Sequence, residues 1–167
     1  MGETFHIEGL LRIYEIPDGL TIAEWERMSL SDKAHHATLA VEAHNLVMSA
    51  GRTQLLTFAG SNSTTPAFAQ YYAVGTGTIY VVQPSDTSLA TELFRAVPSS
   101  FAIVGNAVTI TTTFTGSQAV ATYTNSGVFG NGASSTPGSG TLMTHVLYSY
   151  THASGVTIFN DYQISLT

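Results

Sequence analysis

"NAVTITTTFTG", residues 106–116, is the stretch that decides the fold. Apolar and hydroxyl side chains alternate through it without a break. Val108, Ile110, Thr112 and Phe114 point one way; Thr109, Thr111, Thr113 and Thr115 point the other. A period of two marks an extended strand with one buried face. The hydroxyl-rich opposite face predicts solvent on that side, as in antiparallel sheets.

The pattern continues outward. "TLMTHVLYSY" (141–150) and "GVTIFNDYQISLT" (155–167) read as strands. In the second, Val156, Ile158, Tyr162, Ile164 and Leu166 share a face, with Asn160 in the same row. Upstream, "AFAQYYAVGTGTIYVV" (67–82) gives a strand to Val74, a turn or bulge at Gly75-Thr76-Gly77, and a second strand in "TIYVV". The turn formers of "NGASSTPGSG" (131–140) predict a mobile loop. Helical signals are few. Ser49 is placed to cap "AGRTQLLTFA", and Gly60 is placed to stop it. "SDTSLATELFR" (85–95) suits one or two helical turns, and "ATLAVEAHNLVM" (37–48) reads as a strand. Strand after strand with short turns and little helix predicts a mainly β fold, an antiparallel β-sandwich of the jelly-roll kind with one or two short helices.

Residues 1–36 differ from the rest. Eight of the eleven acids lie at or before Glu42, and between Ala96 and Thr167 the only charged residue is Asp161. The expected organisation is an N-terminal arm over 1–36, able to pack on a neighbouring subunit, and a single β-sandwich domain over 37–167. Within the arm, "FHIEGLLRIYEI" (5–16) reads as a strand and Pro17-Asp18-Gly19 as a turn. "LTIAEWERMSL" (20–30) suits a short helix or a long loop.

Composition removes several functions. Charged residues make up 10% of the 167 and the net charge is −6, against about 25% charged in an ordinary soluble domain. One lysine and four scattered arginines give no phosphate-binding surface, so nucleic acid is not an expected partner. No apolar run reaches membrane-spanning length, and the start Met1-Gly2-Glu3-Thr4 shows no secretory leader. Cysteine is absent, which removes disulfide and thiolate chemistry.

Candidate chemical groups are sparse. His35, His36 and His44 lie close in sequence, but adjacent residues of an extended chain point apart, and no metal or cofactor is expected. His145 has no nucleophile elbow to serve, and Asp161 is the lone carboxylate of the C-terminal body, so the chain is not expected to be an enzyme. "SAGRTQLL" sets Gly51 and Arg52 at a helix start, where an anion would be favoured, yet one cation without helpers reads as a corner. The tyrosines (Tyr71, Tyr72, Tyr80, Tyr123, Tyr148, Tyr150, Tyr162) suit packing, a subunit interface or stacking on sugars.

Four pieces in order, "NLVMSAGRTQLL", "YYAVGTGT", "SGVFGNGAS…SGTLMTHVLYSY" and "VTIFNDYQISLT", resemble small structural proteins of tailed bacteriophages. The resemblance spans residues 44–167, about three quarters of the chain. It implies a non-enzymatic virion protein assembled in the host cytoplasm: a capsid decoration (cement) protein, trimeric, bound to the major capsid protein. Its alternatives are a tail, collar or baseplate/fibre-attachment component, or a carbohydrate-binding module using Tyr148 and Tyr150. Leu11, Ile13 and Trp25 are the expected inter-subunit contacts of the arm.

Overall fold

The computed structural model of the protein describes residues 6–16, 20–60, 68–78 and 81–167. The Pro17-Asp18-Gly19 turn, Tyr80 and the Ile79 step of the "TIYVV" strand lie outside them. Among the described residues there are nine strands: β1 (Ile7–Ile16), β2 (Thr38–Val47), β3 (Tyr71–Gly75), β4 (Glu92–Ala96), β5 (Ser100–Val104), β6 (Ala107–Phe114), β7 (Thr122–Gly130), β8 (Thr141–Thr151) and β9 (Thr157–Leu166). They form one sheet in the order β4-β3-β7-β8-β2-β1-β9-β6-β5. Every neighbouring pair is antiparallel.

Strand twist accumulates across so many strands, and the sheet curls until its two halves face each other. Tyr72 of β3 stands 5.8 Å from the Phe114 ring of β6 and 6.2 Å from Tyr162 of β9. Phe94 of β4 meets Phe114 edge-on at 5.1 Å. The mainly β, antiparallel fold is thus present, and its two layers are one continuous sheet. The strand that joins them is β2. It pairs with β1 over Thr38–Asn45, then with β8 at Leu46 and Val47. The core between the layers takes Leu11, Ile13, Ile110 and Ile158 from one half and Val74, Tyr123, Val128 and Val146 from the other.

The N-terminal segment is not an arm from residue 7 onward. β1 lies in the middle of the sheet between β2 and β9. Leu11 and Ile13 are fully buried on its inner face, and Trp25 is fully buried on the outer one. All three expected contacts are thus buried within the single chain, Leu11 and Ile13 because the alternation of β1 points them inward and Trp25 because α1 lays it against Tyr14 and Phe159. Gly9 is part of the same fit: a side chain there would collide with Asn45 of β2.

Among the described residues there are three helices, rather than one or two. α1 (Ile22–Arg27) and α2 (Leu30–His36) each open with a capping box, Thr21 with Glu24 and Ser29 with Asp32. Both Thr-x-x-Glu and Ser-x-x-Asp satisfy two orphan amides reciprocally, which explains helices this short. Trp25 of α1 packs between Tyr14 (4.8 Å) and Phe159 (5.0 Å) on the outer face. α3 (Ser49–Gly60) is capped by Met48, whose carbonyl accepts the Arg52 amide at 2.9 Å, so Ser49 is its first residue rather than its cap. Gly51 lies so close to the Met143 carbonyl of β8 that no side chain fits. Residues 85–95, expected as helical turns, instead lead into the edge strand β4, and the exposed Val81 lies outside any strand.

Candidate functional site

A groove of about 470 Å³ runs along the outer face of the sheet. Its floor comes from three adjacent strands. The register sets Arg12 of β1, Asp161 of β9 and Thr111 of β6 side by side, with Gln163 and Thr109 in a second row. Glu26, Met28 and Lys33 form one wall, near and on α1 and α2; Ser100, Phe101, Ala102 and Val104 of β5 form the other.

Of the four charged residues that line the groove, Arg12, Lys33 and Asp161 are paired. Lys33 Nζ lies 3.2 Å from Asp161 Oδ2, with both side chains nearly buried. Thr111 Oγ1 donates to Asp161 Oδ1 at 2.7 Å. The Lys33 ammonium also sits 4.5 Å above the Trp25 ring, where the ring's negative face attracts it. Arg12 Nε pairs with Glu42 Oε2 at 2.7 Å near the rim. Burial raises the Tyr14 hydroxyl pKa, Arg12 opposes that rise, and Asp161 and Glu42 add to it. The one lysine and the one charge of the C-terminal body thus meet across 128 residues. With both oxygens engaged, Asp161 holds α2 to the sheet rather than serving as a free acid or base. Thr111 corrects the reading of β6: expected in solvent, it is buried by this contact.

The remaining candidates are dispersed. His35 Nδ1 contacts the Ser31 carbonyl at 2.6 Å, His36 ends α2, and His44 is exposed on β2. Among the described residues no three His, Cys, Asp or Glu side chains gather as metal ligands. His145 is buried, and its carboxylate partner is Asp86 (Nδ1 to Oδ2, 2.9 Å), not Asp161. Its Nε2 is buried without a partner among the described residues. Arg52 Nε donates to the Val47 carbonyl of its own corner at 3.2 Å.

Tyr72, Tyr123, Tyr148, Tyr150 and Tyr162 lie in or against the core between the layers. Tyr72, Tyr123 and Tyr162 are fully buried, and Tyr150 donates to Glu15 Oε1 at 3.0 Å. The Tyr148 hydroxyl is also buried, and burial pushes its pKa up to about 12. Tyr148 and Tyr150 are therefore not a platform for sugars, because they complete the core. Asn160 belongs to the same interior. It donates to the Thr112 carbonyl at 3.1 Å and accepts from Tyr72 at 3.5 Å.

Residues 131–140, expected as a mobile loop, are tied to β4 by hydrogen bonds. Arg95 of β4 forms a two-bonded pair with Glu92 (2.5 and 2.7 Å) and donates to the Ser134 and Ser139 carbonyls. Glu92 accepts the Gly138 amide at 3.0 Å, and the guanidinium lies 4.6 Å from the Phe129 ring.

No family model, curated protein or solved structure matches this chain.

Sequence reading missed the most unusual surface. Beyond the groove wall, β5 ends the sheet, and Phe101, Ile103 and Val104 are 56%, 80% and 77% exposed. "SFAIV" was visible as a run of strand formers, but only the register shows that β6 covers one side of it.

Proposed function

We propose that the chain is a non-enzymatic structural protein of a tailed-bacteriophage virion, a capsid decoration protein that stabilises the shell through subunit contacts. The observation that carries this reading is the β5 edge. Soluble proteins that remain alone blunt their sheet edges with lysine, proline or a covering loop. Within Ser100–Val104 there is no charge and no proline, and three large apolar side chains stand in water. An assembled particle, in which neighbours cover the surface and symmetry repeats each modest contact, gives such an edge a purpose. The contact surface thereby moves from the N-terminal segment to β5. The four sequence pieces that resemble phage structural proteins support the same setting.

Quantitative gel densitometry of purified particles tests it. Hundreds of copies per particle are expected. A handful would assign the chain to the tail, collar or baseplate, and absence from the particle would overturn the virion reading.

A further inference from the structure

We propose that two copies of this chain join through β5, strand against strand about a two-fold axis at Ala102. The inference rests on the reading of the chain as an assembly protein and specifies its self-contact. Three observations support it. First, among the described residues β5 pairs on one side only, with β6, leaving a row of backbone donors and acceptors open. Such a row is a template for another strand.

Second, the pairable stretch is short and self-complementary. Pro98, which has no amide hydrogen, lies just before it, and Gly105, at φ +60°, turns the chain just after it. Five residues remain, and full antiparallel overlap of five with themselves places Ala102 opposite Ala102. Phe101 of one copy then faces Ile103 of the other, and Ser100 faces Val104. Both Phe101 and Ile103 share the face of Ile110 and Val108, so the pairing continues one apolar surface across the axis.

Third, charge and area suit a second copy. The chain carries −6, so two copies repel except where a face is free of charge. Of the charged residues, those lining the adjoining groove are two basic (Arg12, Lys33) and two acidic (Glu26, Asp161). At their stated exposures Phe101, Ile103 and Val104 leave roughly 350 Å² of surface per copy. The symmetric pair brings at most about 700 Å² of this surface together, besides the strand edges, which places it in the small, weak class of interfaces. Contacts of that class dissociate on dilution, so the dimer depends on concentration. An isologous strand pair closes at two, in contrast to the trimer implied by the phage resemblance.

The test uses the full purified chain, with mass measured by light scattering or sedimentation across a wide range of protein concentration. The expected result is a monomer–dimer equilibrium, weakened at least tenfold by Ile103→Lys and unchanged by Leu56→Lys, a substitution at an exposed site on α3. The native chain has no cysteine, so single cysteines report register. Ala102→Cys forms a disulfide-linked dimer, because facing Cα atoms lie about 4.5–5.5 Å apart. Ser100→Cys does not, because its two copies stand roughly 13 Å apart. Circular dichroism confirms that each variant is folded. Monomer at every concentration, a trimer, or cross-linking through Ser100→Cys in preference to Ala102→Cys would overturn the pairing. A dimer by these measures with no copies in the particle would sink the virion reading alone. Copies in the particle with no Ala102→Cys cross-link, there or in solution, would sink the pairing alone.

Discussion

Replacing Asp161 with asparagine would leave the Lys33 ammonium nearly buried beside a neutral amide. Removing one partner of a buried pair is more harmful than removing both, because the remaining charge keeps its desolvation cost. Asp161→Asn is expected to lower unfolding stability by about 3 kcal/mol, read from the urea midpoint. Adding Lys33→Met should restore part of that loss; equal, additive losses would mean that the 3.2 Å contact carries no coupling. Trp25 makes a second test at this scale. Its burial between Tyr14 and Phe159 predicts that Trp25→Ala costs about 3–5 kcal/mol. Trp25→Phe should cost less, since the indole Nε1 has no hydrogen-bond partner among the described residues. Both effects belong to the single chain, so the loss should not depend on protein concentration. A concentration-dependent loss would return Trp25 to a subunit contact.

At the scale of elements, β1 makes the N-terminal segment part of the sheet. Deleting residues 1–36 removes a strand paired on both sides, and the expected product shows no cooperative unfolding and no near-ultraviolet dichroism. A folded remainder would restore the arm. For β4 the expected readout is local. Arg95→Ala removes a charge-assisted pair of about 1.5–3 kcal/mol, so hydrogen exchange at the Gly138 amide should accelerate roughly tenfold or more. Arg95→Lys should rescue it only partly, because an ammonium cannot make the two-bonded contact. These elements also show what sequence could tell. β6 was legible because its alternation is unbroken, and β9 because its inner row runs from Ile158 to Ile164. β4 was not, because Glu92 and Arg95 break the alternation to serve the 131–140 loop. α1 and α2 carried legible capping boxes, yet the burial of Trp25 depends on Phe159, more than a hundred residues away. Lys33 and Asp161 were each conspicuous as isolated charges, but only strand order brings them together.

For the whole molecule, the charge-poor composition leaves few groups able to make stability depend on pH near neutrality, and His145 is one of them. Burial lowers its pKa below the ordinary 6.5, and the hydrogen bond and charge of Asp86 only partly oppose that. In the folded chain the imidazole stays neutral and donates from Nδ1 to Asp86; in the unfolded chain it titrates normally. Below its ordinary pKa the unfolded state therefore binds the extra proton, so stability is full above about pH 6.5 and falls as pH drops. The capping carboxylates Glu24 and Asp32 act in a different window. Their hydrogen bonds to Thr21 and Ser29 lower them from 4.5 and 3.8, so their contribution is lost only at more acidic pH. Between pH 7 and pH 5 the thermal midpoint should decline in the native chain, and His145→Asn should flatten that decline while lowering the midpoint at pH 7. The variant keeps a donor for Asp86 but cannot take up a proton. An equally steep decline in the variant would show that other groups drive it, and would leave the buried His145–Asp86 contact a purely structural one.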